Sequence, residues 1–224
     1  MKTILLVSGG LDSYIAYKYL EENNCKLLPL FIDYKGLYTS KELKHAKELF
    51  PDLIIDNSLD LSGQELTPKA FIKNRNAYFV LVGSKYGHII AMGGLKDDNV
   101  GDKSPLAFLK MQELLNEINP DIYKVFSPFW RMTKSEIIEW YIQSGNHIEV
   151  LLKTTSCYHP TELYCGECPS CFRKYCAFFD NGLGYLLPGF NNLALVKKYV
   201  ETITFYDSAR QKSILGVAEY LGVI

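Results

Sequence analysis

Two groups of residues in this chain have the types and spacing for chemistry. The first is Ser8-Gly9-Gly10-Leu11-Asp12-Ser13, directly after an apolar run. Paired glycines let a backbone turn tightly and approach a ligand. The amides of such a turn, at the positive end of a following helix, form an anion site. Ser8 and Ser13 add hydroxyl donors for phosphate. Asp12 can hold a magnesium ion bridging phosphate oxygens. No lysine follows the glycines, so this is not the Gly-x4-Gly-Lys-Ser/Thr loop. The second group is Cys157, Cys165, Cys168 and Cys171, spaced Cys-x7-Cys-x2-Cys-x2-Cys. Two overlapping Cys-x-x-Cys units and an outlying cysteine suit tetrahedral thiolate ligation of one structural zinc ion. An iron–sulfur cluster and a redox dithiol are the rival readings. Cys176 and Cys25 read as packed thiols.

Alternating strand and helix signals position these groups. Lys2–Val7 is a β-branched, apolar run of the buried parallel-strand type, and Tyr14–Glu22 reads as a helix. Strands are expected at 27–33, 52–56, 88–92 and 124–126. Helices are expected at 41–50, 74–86, 105–118 and 133–144. Thr133 followed by Glu136 gives the last of these a capping-box start. Such alternation predicts an α/β fold with a doubly wound, five-stranded parallel sheet. Ligands of these sheets bind at the carboxyl ends of the strands. There the chain carries Ser8–Ser13, Asp33, Gly93–Asp98 and Ser127. From Thr154 the pattern becomes a cysteine-rich loop, followed by two short helices within 190–221. The expected organisation is therefore a nucleotide-binding domain, 1–150, and a zinc-knuckle and helical region, 151–224.

Composition narrows the function classes. The 224 residues are 48% hydrophobic, enough for a full core, and 24 basic against 25 acidic residues leave a charge of −1. That balance argues against general nucleic-acid binding, which leaves a basic excess. No apolar run approaches the ~20 residues of a membrane span, and no signal peptide is evident, so a cytoplasmic protein is expected. Six cysteines in that compartment favour metal binding or catalysis over disulfides.

The turn at Ser8–Ser13 resembles the pyrophosphate loop of enzymes that cut ATP between its α and β phosphates. Thr154-Thr-Ser-Cys-Tyr158 with Cys165-Gly-Glu-Cys-Pro-Ser-Cys-Phe-Arg173 resembles the zinc motif of 7-cyano-7-deazaguanine synthases, which open with the same loop. Lys73-Asn-Arg-Asn76, Met92-Gly-Gly with Asp97, and Phe129–Ile137 resemble further segments of that family. The resemblance spans about residues 2–183. Two segments depart from the family pattern, Lys35–Lys41 and Asp98–Ser104; both would face the substrate. The C-terminal residues extend beyond the family core.

The resemblance implies an adenine-nucleotide-hydrolase-like fold and a ligase forming carbon–nitrogen bonds. Its substrates would be 7-carboxy-7-deazaguanine, ammonia and ATP with magnesium. It places Ser8, Gly9, Gly10, Leu11, Asp12, Ser13, Asp33 and Asp97 at the nucleotide, and Asp12, Ser13, Arg75 and Lys96 in catalysis. Lys134 and Glu136 read as helix-capping residues. A homodimer is expected by the same analogy. The alternatives are a related enzyme that adenylates a different acceptor, and a module that senses nucleotide without turnover.

Overall fold

The computed structural model describes residues 1–66, 71–98, 100–159 and 163–224. Five strands form one sheet: β1 (Thr3–Val7), β2 (Leu27–Ile32), β3 (Ile54–Asp56), β4 (Ile89–Met92) and β5 (Lys124–Phe126). Their order is β3-β2-β1-β4-β5 and every pairing is parallel. Residue Leu6 lies opposite both Leu30 and Met92 in register. The chain leaves β1 toward β2 and β3, then returns to its other side for β4. The strand order therefore reverses at the carboxyl ends of β1 and β4, where sheets of this kind form a ligand crevice.

The helices are α1 (Leu11–Glu22), α2 (Thr39–Leu49), α3 (Arg75–Gly83), α4 (Pro105–Ile118), α5 (Lys134–Gln143), α6 (Glu149–Leu152), α7 (Pro169–Asp180), α8 (Leu193–Glu201) and α9 (Ser208–Tyr220). Side chains of β1 alternate between two cores, as a two-residue period requires. Leu5 and Val7 join Ile15, Leu49, Ile137, Phe172, Phe178 and Val217 on one face. Ile4 and Leu6 join Val80, Phe108 and Leu115 on the other. Helices thus cover both faces, giving three layers.

Local signals account for the helix starts. Thr133 and Glu136 exchange the two hydrogen bonds of a capping box at α5, as the sequence predicts. Ser104 caps α4 by accepting from the Ala107 amide at 3.2 Å, with Pro105 in the first turn. The cysteine-rich segment is less of a loop than expected. It opens α7 at Pro169, with Cys168 as the capping residue. In the last helices Val196, Ile214 and Val217 are buried, while Leu193 and Tyr220 are exposed. None of the helices formed by the described residues is long and apolar enough to cross a membrane.

Candidate active site and metal centre

The crevice at the strand-order reversal is a cleft of about 350 Å³. Its base is the turn between β1 and α1. Gly9 adopts φ +69°, and a Cβ there would lie 2.6 Å from the Glu42 carbonyl oxygen and 3.0 Å from the Ala46 nitrogen on α2. Only glycine meets both demands. Gly9 thus shapes the turn from behind, while Ser8, Gly10, Leu11, Asp12 and Ser13 line the cleft. The turn is braced on both sides. The Ser13 hydroxyl donates to the Gly10 carbonyl at 2.9 Å, and the Thr155 amide donates to the Gly9 carbonyl at 3.0 Å. Gly93 packs so closely on α1 that an added Cβ would sit 3.0 Å from the Asp12 carbonyl oxygen.

Basic side chains converge on this turn from distant segments. Lys134, at the start of α5, donates to Asp12 Oδ1 and is itself buried. Burial lowers the Lys134 pKa, and the adjacent Asp12 carboxylate opposes the shift. Arg173 on α7 reaches Asp98 at 2.7 Å and Asp97 at 3.0 Å. Lys103 closes on Asp98 at 2.9 Å. Burial alone would raise the Asp98 pKa, yet Lys103 and Arg173 hold it well below the usual carboxylate range. Lys103, Lys134 and Arg173 all line the cleft. Pairing with aspartates fixes their positions before a ligand arrives, which is how a site is preorganised for charge.

The other end of the cleft is aromatic. Tyr34, Tyr38, Phe71, Phe79 and Tyr158 line it. Arg75 lies over the rings of Tyr34 and Phe79, 5.7 and 5.8 Å from their centres. The Tyr38 and Tyr158 rings face each other at 6.1 Å. Asp102 fastens residues 100–104 over α3, accepting from the Asn76 amide at 3.0 Å and its side-chain amide at 2.9 Å. Planar rings flanked by cations suit a flat heterocycle.

Three expected site residues stand elsewhere. Asp33 turns away from the cleft to pair with Lys35 at 2.6 Å. Lys96 is exposed and is not among the residues lining the cleft: its neighbour Leu95 is buried in a bridge to Phe129, which turns Lys96 outward. Asp97 lies behind Arg173, on a second cavity of about 910 Å³ beneath α9. That cavity meets the cleft at Lys134 and Arg173, which line both. Lys134 does more than begin a helix, contrary to the capping role expected of it. Glu42, Lys103, Tyr158 and Arg173 are cleft residues that sequence reasoning left unassigned. Arg173 carried a signal, since it ends the motif two residues past Cys171.

The four cysteines come together as expected. The Sγ atoms of Cys157, Cys165, Cys168 and Cys171 all lie within 4.8 Å of one another and can hold a metal ion. Cys176 is buried in the core. Beside the cluster, the buried Lys174 ammonium donates to the carbonyls of Leu151 and Thr154 and to the Thr154 hydroxyl, at 3.0 to 3.2 Å. Burial pushes its pKa down to about 8. These bonds hold the strand of chain that braces Gly9.

The family model for queuosine biosynthesis protein QueC matches residues 55–182, more than half of the chain. The chain belongs to the QueC family. A 7-cyano-7-deazaguanine synthase of Prochlorococcus marinus is 29% identical, covering 78% of this chain and 92% of that protein. One of Picrophilus torridus is 28% identical over 81% and 88%. One of Campylobacter jejuni is 24% identical over 79% and 93%. The QueC match begins within β3 and ends just past α7, so the turn at Ser8–Ser13 and helices α8 and α9 lie outside it.

Proposed function

We propose that this QueC family member converts 7-carboxy-7-deazaguanine and ammonia to 7-cyano-7-deazaguanine, driven by ATP. The observation that carries the reading is one cleft with two chemically distinct ends. Its phosphate-sized turn faces Lys103, Lys134 and Arg173, while its aromatic end holds Arg75. Membership of the QueC family, and relatives named for this reaction, support the same substrate.

A carboxylate is a poor electrophile, so the acid must be activated first. Its oxygen attacks the α phosphorus of ATP, pyrophosphate leaves, and the acyl adenylate forms. Ammonia attacks the acyl carbon, AMP departs, and the amide results. A second ATP adenylates the amide oxygen; loss of AMP and two protons from nitrogen then gives the nitrile. The chain's contribution is electrostatic stabilisation and alignment. Turn amides and the Ser8 and Ser13 hydroxyls would hold the departing pyrophosphate. Lys103, Lys134 and Arg173 would balance its charge, and Arg75 would neutralise the carboxylate. The pair with Lys134 uses Asp12 Oδ1, leaving Oδ2 for the magnesium that accompanies ATP.

The cysteine cluster fits a structural zinc. Thiolates on a single tetrahedral ion, with Zn–S of about 2.3 Å, lie roughly 3.8 Å apart. Cys165 Sγ and Cys171 Sγ are separated by 3.8 Å. Thiolates on separate irons of a cluster would stand farther apart. Four protein ligands leave no position for substrate, so the ion would supply folding energy rather than chemistry.

The test is a mass-spectrometric assay with 7-carboxy-7-deazaguanine, ammonium, ATP and magnesium, following nitrile and AMP together. Nitrile with AMP is the expected result. Neither AMP nor product would refute the reading. AMP formed without amide or nitrile would leave the ATP-cleaving turn intact and favour an adenylating enzyme with another acceptor. That second reading draws on Tyr38, Val100, Asp102 and Lys103, cleft residues within the two segments that depart from the family pattern.

A further inference from the structure

Among the described residues, four carboxylates line the cleft: Asp12, Glu42, Asp98 and Asp102. Three are engaged. Asp12 is held by Lys134, Asp98 by Arg173, Lys103 and the Leu95 amide, and Asp102 by Asn76. Glu42 differs. Among the described residues its carboxylate has no ion-pair or hydrogen-bond partner, although Arg75 and Lys41 act on it electrostatically. It projects from α2 at the aromatic end, within electrostatic range of Tyr34, Arg75 and Tyr158. Burial pushes its carboxyl up to about 7. Glu42 is half-buried; a carboxylate partly withdrawn from water and left without donors costs free energy, and a ligand that brings donors recovers it.

The cleft must admit two flat heterocycles, and their edges differ. Adenine offers one ring acceptor beside one amino donor. A guanine-type ring offers two adjacent donors, the N1–H and the 2-amino group. An ionised carboxylate has two acceptor oxygens and no donor, so it matches the second edge and opposes the first. We propose that Glu42 is the specificity-determining residue for the acceptor base, its two carboxylate oxygens accepting from the N1–H and the 2-amino group of the deazapurine. The assignment rests on the substrate reading above. In it, Tyr34, Tyr38 and Tyr158 bound the ring while Glu42 reads its edge. A site built around such donors discriminates strongly against an analogue that lacks one, because a buried acceptor is then left unpaired.

The experiment is isothermal titration of the intact protein with 7-carboxy-7-deazaguanine and with its analogue lacking the 2-amino group, which needs no turnover. The wild-type protein should favour the amino-bearing base by at least ~10-fold. Glu42→Gln keeps the side-chain volume but presents an amide donor to the ring donors. In it the preference should fall below about 2-fold, with ATP affinity unchanged. Glu42→Ala should also lose the preference, and thermal melts show that both variants fold. A preference that survives in both variants overturns the proposal. So does a wild-type protein that binds the two bases equally or binds neither. Turnover is scored separately. Preferential binding lost in both variants, but without nitrile formation by the wild type, upholds Glu42 and sinks the reaction. Nitrile formation with the preference intact in Glu42→Gln does the reverse.

Discussion

Lys134 opens α5 and its ammonium closes on the carboxylate of Asp12, 122 residues earlier in the chain. The pair joins the turn at the base of the cleft to the helix that follows β5. Both side chains also line the cleft, so the contact positions charge as well as tying elements together. Lys134→Met should lower kcat/KM for ATP by ~10² to 10³, the usual loss when one preorganised charge is removed. Asp12 retains access to solvent, so the fold should persist. Pyrophosphate release and a circular-dichroism melt check this together. Near-normal release with a lowered melting temperature would reduce the pair to a structural tie.

Gly9→Ala sets two costs against each other at one atom. The residue sits at φ +69°, and the new Cβ would press on the backbone of α2. The strain should amount to about 1–3 kcal/mol, relieved by movement of the turn. ATP affinity should therefore drop more than stability does. Nucleotide titration beside a denaturant curve separates the two; unchanged affinity would contradict the role of Gly9 in shaping the turn.

Replacing Cys168 by Ser removes a thiolate but leaves a hydroxyl that can cap α7, so the variant isolates the loss of the ligand. Metal content should fall below one equivalent, and folding free energy should decline by several kcal/mol, on the order of 3–5. Elemental analysis and thermal melts measure both. A soluble variant with normal melting and full metal content would contradict structural ligation.

Glu42 gives a pH signature in the ligand-free protein. Its folded pKa of about 7 lies above the unfolded value of 4.5. Between these pH values the folded state binds more protons than the unfolded one. Its stabilising contribution is thus complete below 4.5 and is lost as pH rises through 7. Wild-type stability should fall relative to Glu42→Gln across that window. Parallel stability curves for the two proteins would show that the carboxyl is not shifted.

Much of the fold was legible because its signals are local. Each strand is a short apolar run, and α4 and α5 announce themselves through Ser104, Pro105, Thr133 and Glu136. The turn at Ser8–Ser13 and the four cysteines were legible for a similar reason: dense spacing forces proximity. Pairings across the sheet were not. Nothing near Lys134 points to Asp12, and nothing near Arg173 points to Asp98. Those meetings depend on how helices dock after the strand order is set. The same limit explains Asp33 and Lys96. Each follows a strand end, as a ligand residue would, but a neighbouring lysine captures Asp33 and the Leu95 bridge turns Lys96 outward. Glu42 was hidden because a glutamate amid lysines reads as part of a solvated helix face.

The cysteine cluster has a reach beyond its own loop. Cys168 caps α7, and the first turns of that helix carry Arg173 into the cleft and Lys174 under the segment that braces Gly9. One ion would therefore set the register of both a charge in the reaction cleft and a support of its base. Loss of the ion would thus reach past the cysteine loop, disturbing the Arg173 charge and the support of Gly9 together.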